Sequence, residues 1–513
     1  MKRVTFSRPI LAASICLLFA AQAFAQGETT SAIVGEVMDI TNATIAGATV
    51  TIANRATGLK RSAKTDEAGR FNFPQLAPGT YSVTAEASGF APQEVDAVSA
   101  GLGQKQTVDF RLKPAESNQT VEVTSEAPLI NPQNANTATT LTAPSLENLP
   151  NPGGDLTYPL QFSPGALINT AGSSNDFVGS SNGYGNVEFN GLPALSNGYI
   201  VDGLETNDPL TNLNSGLSTN LVLGLNSISE VTVNTLSYSV DQGRYGASQV
   251  NYVTKSGANR FHGNLYEIWN GSLLNAADYF TNATPGNHKP RSTVNHFGGS
   301  LGGPIARDKL FFFFDSEWVR IALPIVTPTI VPSAAFQQYV LQQLPIGLTE
   351  IVNGQPKVIF PAAPQEVPFY QNMFSLYGNT SGTPIAIGGC PIAAGCANQQ
   401  SVSHTSDDHE QVQTARVDDN VNQNNTAWLR FQADTGVQAA YTDPINSLFD
   451  SVSPQPLYSA AAGYTHVFSQ NLVNYFNPAF SWYGSLFGPS NLQKTLTAFP
   501  IVLQGSGANP FTP

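Results

Sequence analysis

Charge is what this 513-residue chain has least of, with 12% Asp, Glu, Lys and Arg against about a quarter in ordinary globular chains. That scarcity excludes a coiled coil and a charged disordered tail. Cations are the rarer sign, 23 Lys plus Arg against 36 acidic residues for a net charge of −13. No basic face is available to neutralise a phosphate backbone, so nucleic acid is not an expected partner. Long apolar runs are also lacking. Beyond the N-terminus none reaches the roughly 18 residues that a spanning helix requires, so a membrane would have to be crossed by strands, each needing only about 9 to 11 residues. Cysteine is nearly absent, with three in the chain. What is abundant is Asn, Thr, Ser and Gly, which favours strands and loops over helices, in a length that usually holds about three domains.

The first 25 residues read as a secretory signal. Lys2, Arg3 and Arg8 precede an apolar run from Ile10 to Ala23, and Ala23-Phe24-Ala25 offers a small-x-small cleavage site after Ala25. Cleavage removes three cations and takes the net charge from −13 to −16. Cys16 leaves with the signal, and Ile15 before it fits lipid attachment poorly. Cys390 and Cys396 remain, six residues apart in Gly-Gly-Cys-Pro-Ile-Ala-Ala-Gly-Cys. In an oxidising compartment they suggest a small disulfide loop rather than a metal site, because no second Cys or His pair accompanies them.

Residues 27–115 alternate short strand-like runs with turn residues: Ser31 to Val37, Ala48 to Ala53, Arg70 to Phe73, Gly79 to Glu86 and Gln106 to Leu112. Phe71, Phe73, Tyr81 and Val83 alternate toward one side, and Asp66 and the glycines supply turns. Ile45-Ala46-Gly47-Ala48-Thr49-Val50, Thr65-Asp66-Glu67-Ala68-Gly69-Arg70-Phe71 and Leu76-Ala77-Pro78-Gly79-Thr80-Tyr81 together resemble the carboxypeptidase regulatory-like domain. The resemblance implies a small transthyretin-like β-sandwich with a carbohydrate-binding-like fold, serving either as a docking module or as a spacer. It implies no peptidase, since no His and Glu ligand set for zinc is present.

Residues 116–257 carry a second resemblance. Thr120, Val121, Glu122, Val123 and Thr124 resemble the energy-coupling box of TonB-dependent outer-membrane receptors, an extended segment that pairs with a partner's sheet edge. The same residues also read as a last strand or a linker. Asn190-Gly191-Leu192, Tyr199-Ile200-Val201-Asp202-Gly203, Leu225 to Val233, and the run Arg244-Tyr245-Gly246 through Thr254-Lys255-Ser256-Gly257 resemble, in order and spacing, the α+β plug of those receptors. The plug motif is thus carried by Asp202, Gly203, Tyr245, Gly246, Thr254 and Lys255. Asn234-Thr235 stands where many plugs have Arg-Gly, and Ser248-Gln249 where a small Gly-rich pair is usual, which points away from the siderophore-receptor subgroup.

From residue 258 aromatic strands dominate. Phe261 to Glu267, Phe297 to Ile305 with the turn Arg307-Asp308-Lys309 and Phe311 to Glu317, Ala415 to Asp418, and Gly463 to Asn474 resemble the antiparallel transmembrane β-barrel of the Oar-like subgroup. Between Thr426 and Asp434, Ala427, Leu429, Phe431 and Ala433 share one face, and Thr426, Arg430, Gln432 and Asp434 the other, as in a strand between lipid and a wet lumen. Trp428 breaks that pattern and suits a membrane interface. Residues 321–411 read as one long Pro- and Gly-rich excursion containing the Cys390–Cys396 loop. A plugged transporter closes with about 22 strands of roughly 10 residues. Six or seven are recognisable here, so the expectation is a partial barrel, the opening part of a longer receptor.

No catalytic set appears. His404, Asp407, Asp408, His409 and Glu410 crowd one apparent loop but lack the i, i+4 spacing of a helical zinc site; a solvated loop is the plainer reading. No nucleophile elbow or phosphate-cradling loop occurs. Asn42-Ala43-Thr44 and Asn282-Ala283-Thr284 match sequons of a kind that arises by chance in such a composition. No cofactor is expected. The resemblance implies a receptor in the cell outer membrane with its sandwich in the periplasm. Its expected partners are outer-membrane lipid, a TonB-type energy-coupling protein and the barrel-assembly machinery. Its expected work is energy-coupled uptake of a ligand for which low loop charge favours a glycan or peptide. An adhesive or envelope-organising protein of the same fold, without transport, is the alternative, and a secreted enzyme fits worst.

Overall fold

The computed structural model describes residues 30–115, 121–123, 137–149, 158–168, 187–207, 224–236, 245–274, 276, 292–378, 380–443, 445–484, 486–498, 503–504 and 510–511. The signal segment with Ala25 and Cys16, the coupling residues Thr120 and Thr124, and Asn282 lie outside them.

The N-terminal sandwich contains β1 (Ser31–Asp39), β2 (Thr49–Asn54), β3 (Lys60–Lys64), β4 (Arg70–Leu76), β5 (Gly79–Glu86), β6 (Gln93–Ala100), β7 (Lys105–Thr107), β8 (Phe110–Leu112) and β9 (Val121–Val123). One sheet runs β3-β2-β5-β6-β9, and the other joins β4, β7 and β8 around β1. The two-residue period that marks these segments in the sequence is the period of burial. Ile33, Val37, Val50, Ile52, Phe71, Phe73, Tyr81, Val83 and Phe110 close one apolar core. Gly35 is required by close approach, since a Cβ there would stand 1.8 Å from the Val108 carbonyl oxygen. Asp66 closes the β3–β4 turn by accepting from the amides of Ala68 (2.9 Å) and Arg70 (2.8 Å), with Gly69 at positive φ.

The plug is built on β10 (Thr137–Thr142), β11 (Ala166–Ile168), β12 (Val187–Phe189), β13 (Asn197–Val201), β14 (Leu204–Glu205), β15 (Ile228–Leu236) and β16 (Ser248–Thr254). Five of these form the order β10-β15-β16-β13-β14, in which β13 and β16 run parallel. Its own core includes Leu160, Phe189, Tyr199, Val201, Val231, Val233, Val250 and Tyr252.

A large antiparallel sheet follows: β17 (His262–Gly271), β18 (Thr293–Ala306), β19 (Leu310–Pro332), β20 (Leu348–Val352), β21 (Gln355–Phe360), β22 (Thr383–Ile385), β23 (Ala397–Asn422), β24 (Asn425–Tyr441), β25 (Ser451–Pro454), β26 (Leu457–Ser469), β27 (Leu472–Phe476) and β28 (Ala479–Tyr483), with β20 and β21 forming a separate hairpin. Along β24 the outer face shows Leu429 and Phe431 about half exposed, while Arg430, Gln432 and Asp434 are at most 1% exposed.

Three expectations are corrected. The long excursion is not 321–411. β19 runs to Pro332 and β23 starts at Ala397, the two pairing residue by residue from Leu310↔Asp419 to Pro332↔Ala397. Pro324, Pro328 and Pro332 share one parity, so their missing N–H groups fall on one side, and beyond Ala322 β23 is the strand that flanks β19 among the described residues. Proline is tolerated along such an open edge. The insert is therefore residues 333–396, with helices Ala334–Gln343 and Val367–Ser375. For the same reason residues 404–410 are strand, not loop. Finally, Trp428 turns to the inner face, where the Arg416 guanidinium sits 4.8 Å above its ring. With the two-residue strand Gly488–Pro489, which pairs with β25, eleven strands join the large sheet among the described residues, more than the six or seven recognisable in the sequence, because several are short.

Candidate functional site

The site grows from the tight turn after β13. Asp202 and Gly203 both take positive φ, 47° and 86°, which returns the chain as β14 and leaves the Asp202 carboxylate beside the end of β16. There Oδ1 accepts from the Thr254 amide at 3.0 Å and Oδ2 from the Thr254 hydroxyl at 2.8 Å. Two residues of the plug motif, far apart in sequence, are thus joined.

The same carboxylate faces two cations of the large sheet. Arg430 Nε lies 3.1 Å from Oδ2, and Arg416 Nη1 lies 3.3 Å from Oδ1. Arg416 Nη1 also donates to the Thr254 hydroxyl at 2.9 Å, and its Nε and Nη2 grip Asp418 at 2.9–3.1 Å. Arg430 is fully buried and donates from Nη1 to Gln432 Oε1 at 3.0 Å. Asn477 Nδ2 reaches the Asp202 carbonyl at 3.4 Å. Two cations and two carboxylates therefore balance where all four side chains are largely buried, the condition under which buried ions are tolerated.

A second junction lies at Gly224 to Ser227. The Asn226 amide donates to Glu317 Oε1 (3.1 Å), its Nδ2 to Asp315 Oδ1 (2.7 Å), and its Oδ1 accepts from Asn264 Nδ2 (2.8 Å). Glu317 is held in turn by Tyr266 (2.5 Å) and His296 (2.8 Å). Gly224 is needed for this fit, because a Cβ would stand 1.5 Å from a Glu317 carboxylate oxygen.

Of the remaining motif residues, Lys255 touches the second junction through its amide, which donates to the Ser227 carbonyl at 2.8 Å. Tyr245 donates to Glu205 at 2.6 Å and packs its ring on Gly198, where a Cβ would fall 2.2 Å from the ring. A Cβ on Gly246 would meet nothing within 4 Å. Lys255 pairs with the half-exposed Glu147 at 2.9 Å, a contact of small energetic weight. Of the coupling residues, Val121 to Val123 form β9 on the sandwich edge. Cys390 and Cys396 are disulfide-bonded, and the loop is tied down where Ser333 donates to the carbonyls of Gly395 and Cys396.

Arg416 and Arg430 are the two residues of this junction that motif reading leaves without a partner: Arg416 enters only within Ala415 to Asp418, and Arg430 only by its face on the strand. A signal for Arg430 was present: a cation on the inner face of a strand, in a chain with few cations. The arrangement they build is an adhesion of polar groups. The plug closes its own apolar core, and among the described residues the apolar cluster of the large sheet, Val319, Ile321 and Val412, shares no residue with it. Separating plug from sheet would wet these ions and amides.

An open antiparallel sheet with a largely apolar outer and a largely polar inner face, holding a separately cored plug, has the pattern of part of a plugged β-barrel of the outer-membrane class. Comparison with known proteins agrees. The family model for the outer membrane beta barrel domain matches residues 253–513, just over half of the chain, and that for the carboxypeptidase regulatory-like domain matches residues 32–113. The TonB-dependent transporter Oar of Myxococcus xanthus is 30% identical over 305 residues, 58% of this chain and 27% of the relative. The carboxypeptidase N catalytic chain of Mus musculus is 38% identical over 85 residues, 17% of each chain. The crystal structure of the outer membrane transporter YddB from Escherichia coli superposes with a TM-score of 0.44 at 11% identity, covering 69% of this chain and 40% of that one. The chain thus spans about a quarter of the length of the Myxococcus transporter. It belongs to the outer membrane beta barrel family and carries a carboxypeptidase regulatory-like domain on its N-terminal side.

Proposed function

We propose that the chain acts in energy-coupled uptake across the outer membrane. A ligand is captured at the loops opposite the sandwich, and an inner-membrane motor engages the segment around Val121 to Val123 from the periplasm, where the sandwich resides, to displace the plug. The observation that supports this most is the polar junction at Asp202. A plug meant to move must separate without exposing a core, and here it is held by ion pairs and hydrogen bonds that water can replace. The ligand class that suits the low charge of residues 333–396 is a neutral, hydrogen-bonding one, a glycan or a peptide. Export with cleavage after Ala25 and insertion by the barrel-assembly machinery complete the reading.

The test is photo-cross-linking in the intact receptor, with a benzophenone amino acid in place of Glu122. A cross-link to the periplasmic domain of the TonB-type protein is expected, and it should vanish when Val121 and Val123 are both changed to Pro, which removes backbone donors. A cross-link that survives the double substitution sinks the coupling role.

A further inference from the structure

Strand addition needs a strand, and a short free segment meeting one partner strand forms a pair that is marginal in water. In this protein the segment is not free. Val121 to Val123 already lie parallel to β6, in the register Gln93↔Val121, Glu94↔Glu122 and Val95↔Val123. They end the sheet β3-β2-β5-β6-β9, so among the described residues the outer edge of β9 carries no further strand.

β6 is itself fixed at both ends of its environment. Val95, Val98 and Ala100 are in the sandwich core. The chain leaving β6 then inserts into the plug: Leu102 is buried to 1% exposure, and its amide donates to the carboxylate of Glu230 on β15 at 2.7 Å. Gln104 Nε2 adds a bond to Thr140 on β10 at 3.3 Å. β15 pairs along its length with β16, the strand that ends in Thr254 at the Asp202 junction.

We propose that the sandwich is the docking platform for the energy-coupling partner: an extended periplasmic strand adds to the exposed edge of β9 while β9 stays on β6, so the partner extends a preformed sheet. The segment arrives already ordered, which removes most of the conformational cost of strand addition. The sheet is in turn fastened to plug strand β15 through the Leu102–Glu230 bond, so the same platform carries the pull to the plug. This rests on the coupling role of Val121 to Val123 proposed above.

The experiment staples the pair. Gln93→Cys with Val121→Cys is introduced into the intact receptor carrying the benzophenone at position 122, and cross-linking is compared in the oxidised and the reduced state. Thr84→Cys with Glu94→Cys, partners across β5 and β6, is the positive control for stapling, and the parent receptor controls for reduction of Cys390–Cys396. The expected result is that the 93–121 staple forms as readily as the control and that the stapled receptor cross-links to the TonB-type domain with a yield equal to or above that of the reduced one. Failure of the staple to form while the control forms overturns the platform. So does a cross-link present in the reduced protein and lost on stapling, which would mean that the partner must peel β9 away. Absence of the cross-link in both states overturns the coupling reading itself, and the platform with it.

Discussion

The sandwich, which mixes antiparallel with parallel pairs, and the antiparallel large sheet share a two-residue period, yet their insides are opposite. Phe73, Tyr81, Val83 and Phe110 fill the sandwich, whereas the inner face of the large sheet buries Asp315, Glu317, Glu410, Thr414, Arg430 and Asp434. Many of its apolar side chains, among them Leu429, Phe431, Phe480 and Trp482, are exposed on the other face, while Phe311, Phe313, Val319 and Ile321 share the buried face with Asp315 and Glu317. Alternation alone therefore does not say which face is interior. The solvent decides: water outside puts hydrocarbon in, and lipid outside lets polar groups meet within.

That contrast can be broken from both sides. The two largest effects are expected to be equal in size and opposite in chemistry. Phe110→Ala, at a site with no exposure, should cost the sandwich about 3–5 kcal/mol by opening a cavity. Asp202→Ala should weaken the hold on the plug by about 3–5 kcal/mol, because Arg430 is left buried without its counter-charge. Denaturant unfolding of the intact receptor, followed by probes in the sandwich and the plug, reads both. Equal destabilisation of the plug by each would erase the distinction between the two regions.

Next in size is arginine on the outer face. Phe431→Arg should cost about 2–4 kcal/mol if the residue sits at mid-bilayer and fall toward about 0–1 near the interface. Refolding into bilayers measures the depth of the strand, and a gain in stability would mean that this face does not meet lipid. The smallest effect is at Glu230. Burial raises its pKa above the ordinary 4.5, and the Leu102 amide opposes that shift without cancelling it. A raised carboxyl pKa adds stability below pH 4.5 that is lost as pH climbs through the raised value. Glu230→Gln keeps an acceptor for Leu102 and has no charge to bury. It should leave the sandwich–plug contact unchanged in acid and modestly firmer at neutral pH, seen as a flatter pH dependence of the unfolding midpoint. A steeper dependence would reverse the assignment.

Much of this was legible in the sequence for a physical reason. Strand faces are set by local alternation, so the sandwich core and the two sides of Thr426 to Asp434 can be read directly, as can the turn at Asp308, which takes positive φ between β18 and β19. The partners of Asp202 were not, because Arg416 and Arg430 come from strands more than 200 residues away and only the plug's seating brings them together. Residues 321–332 were misread because proline normally ends a strand. Its cost depends on whether the missing N–H faces a neighbour, which no local window records.

The paired strands β19 and β23 are 23 and 26 residues long, about 75–85 Å of extended chain at about 3.3 Å per residue, where about 30 Å of hydrocarbon needs to be crossed. Even steeply tilted, they overshoot the bilayer by a wide margin at the end opposite the sandwich. The disulfide loop and the two helices of residues 333–396 are therefore carried at the far end of a two-stranded extension, where β19 and β23 keep pairing with each other up to Pro332↔Ala397.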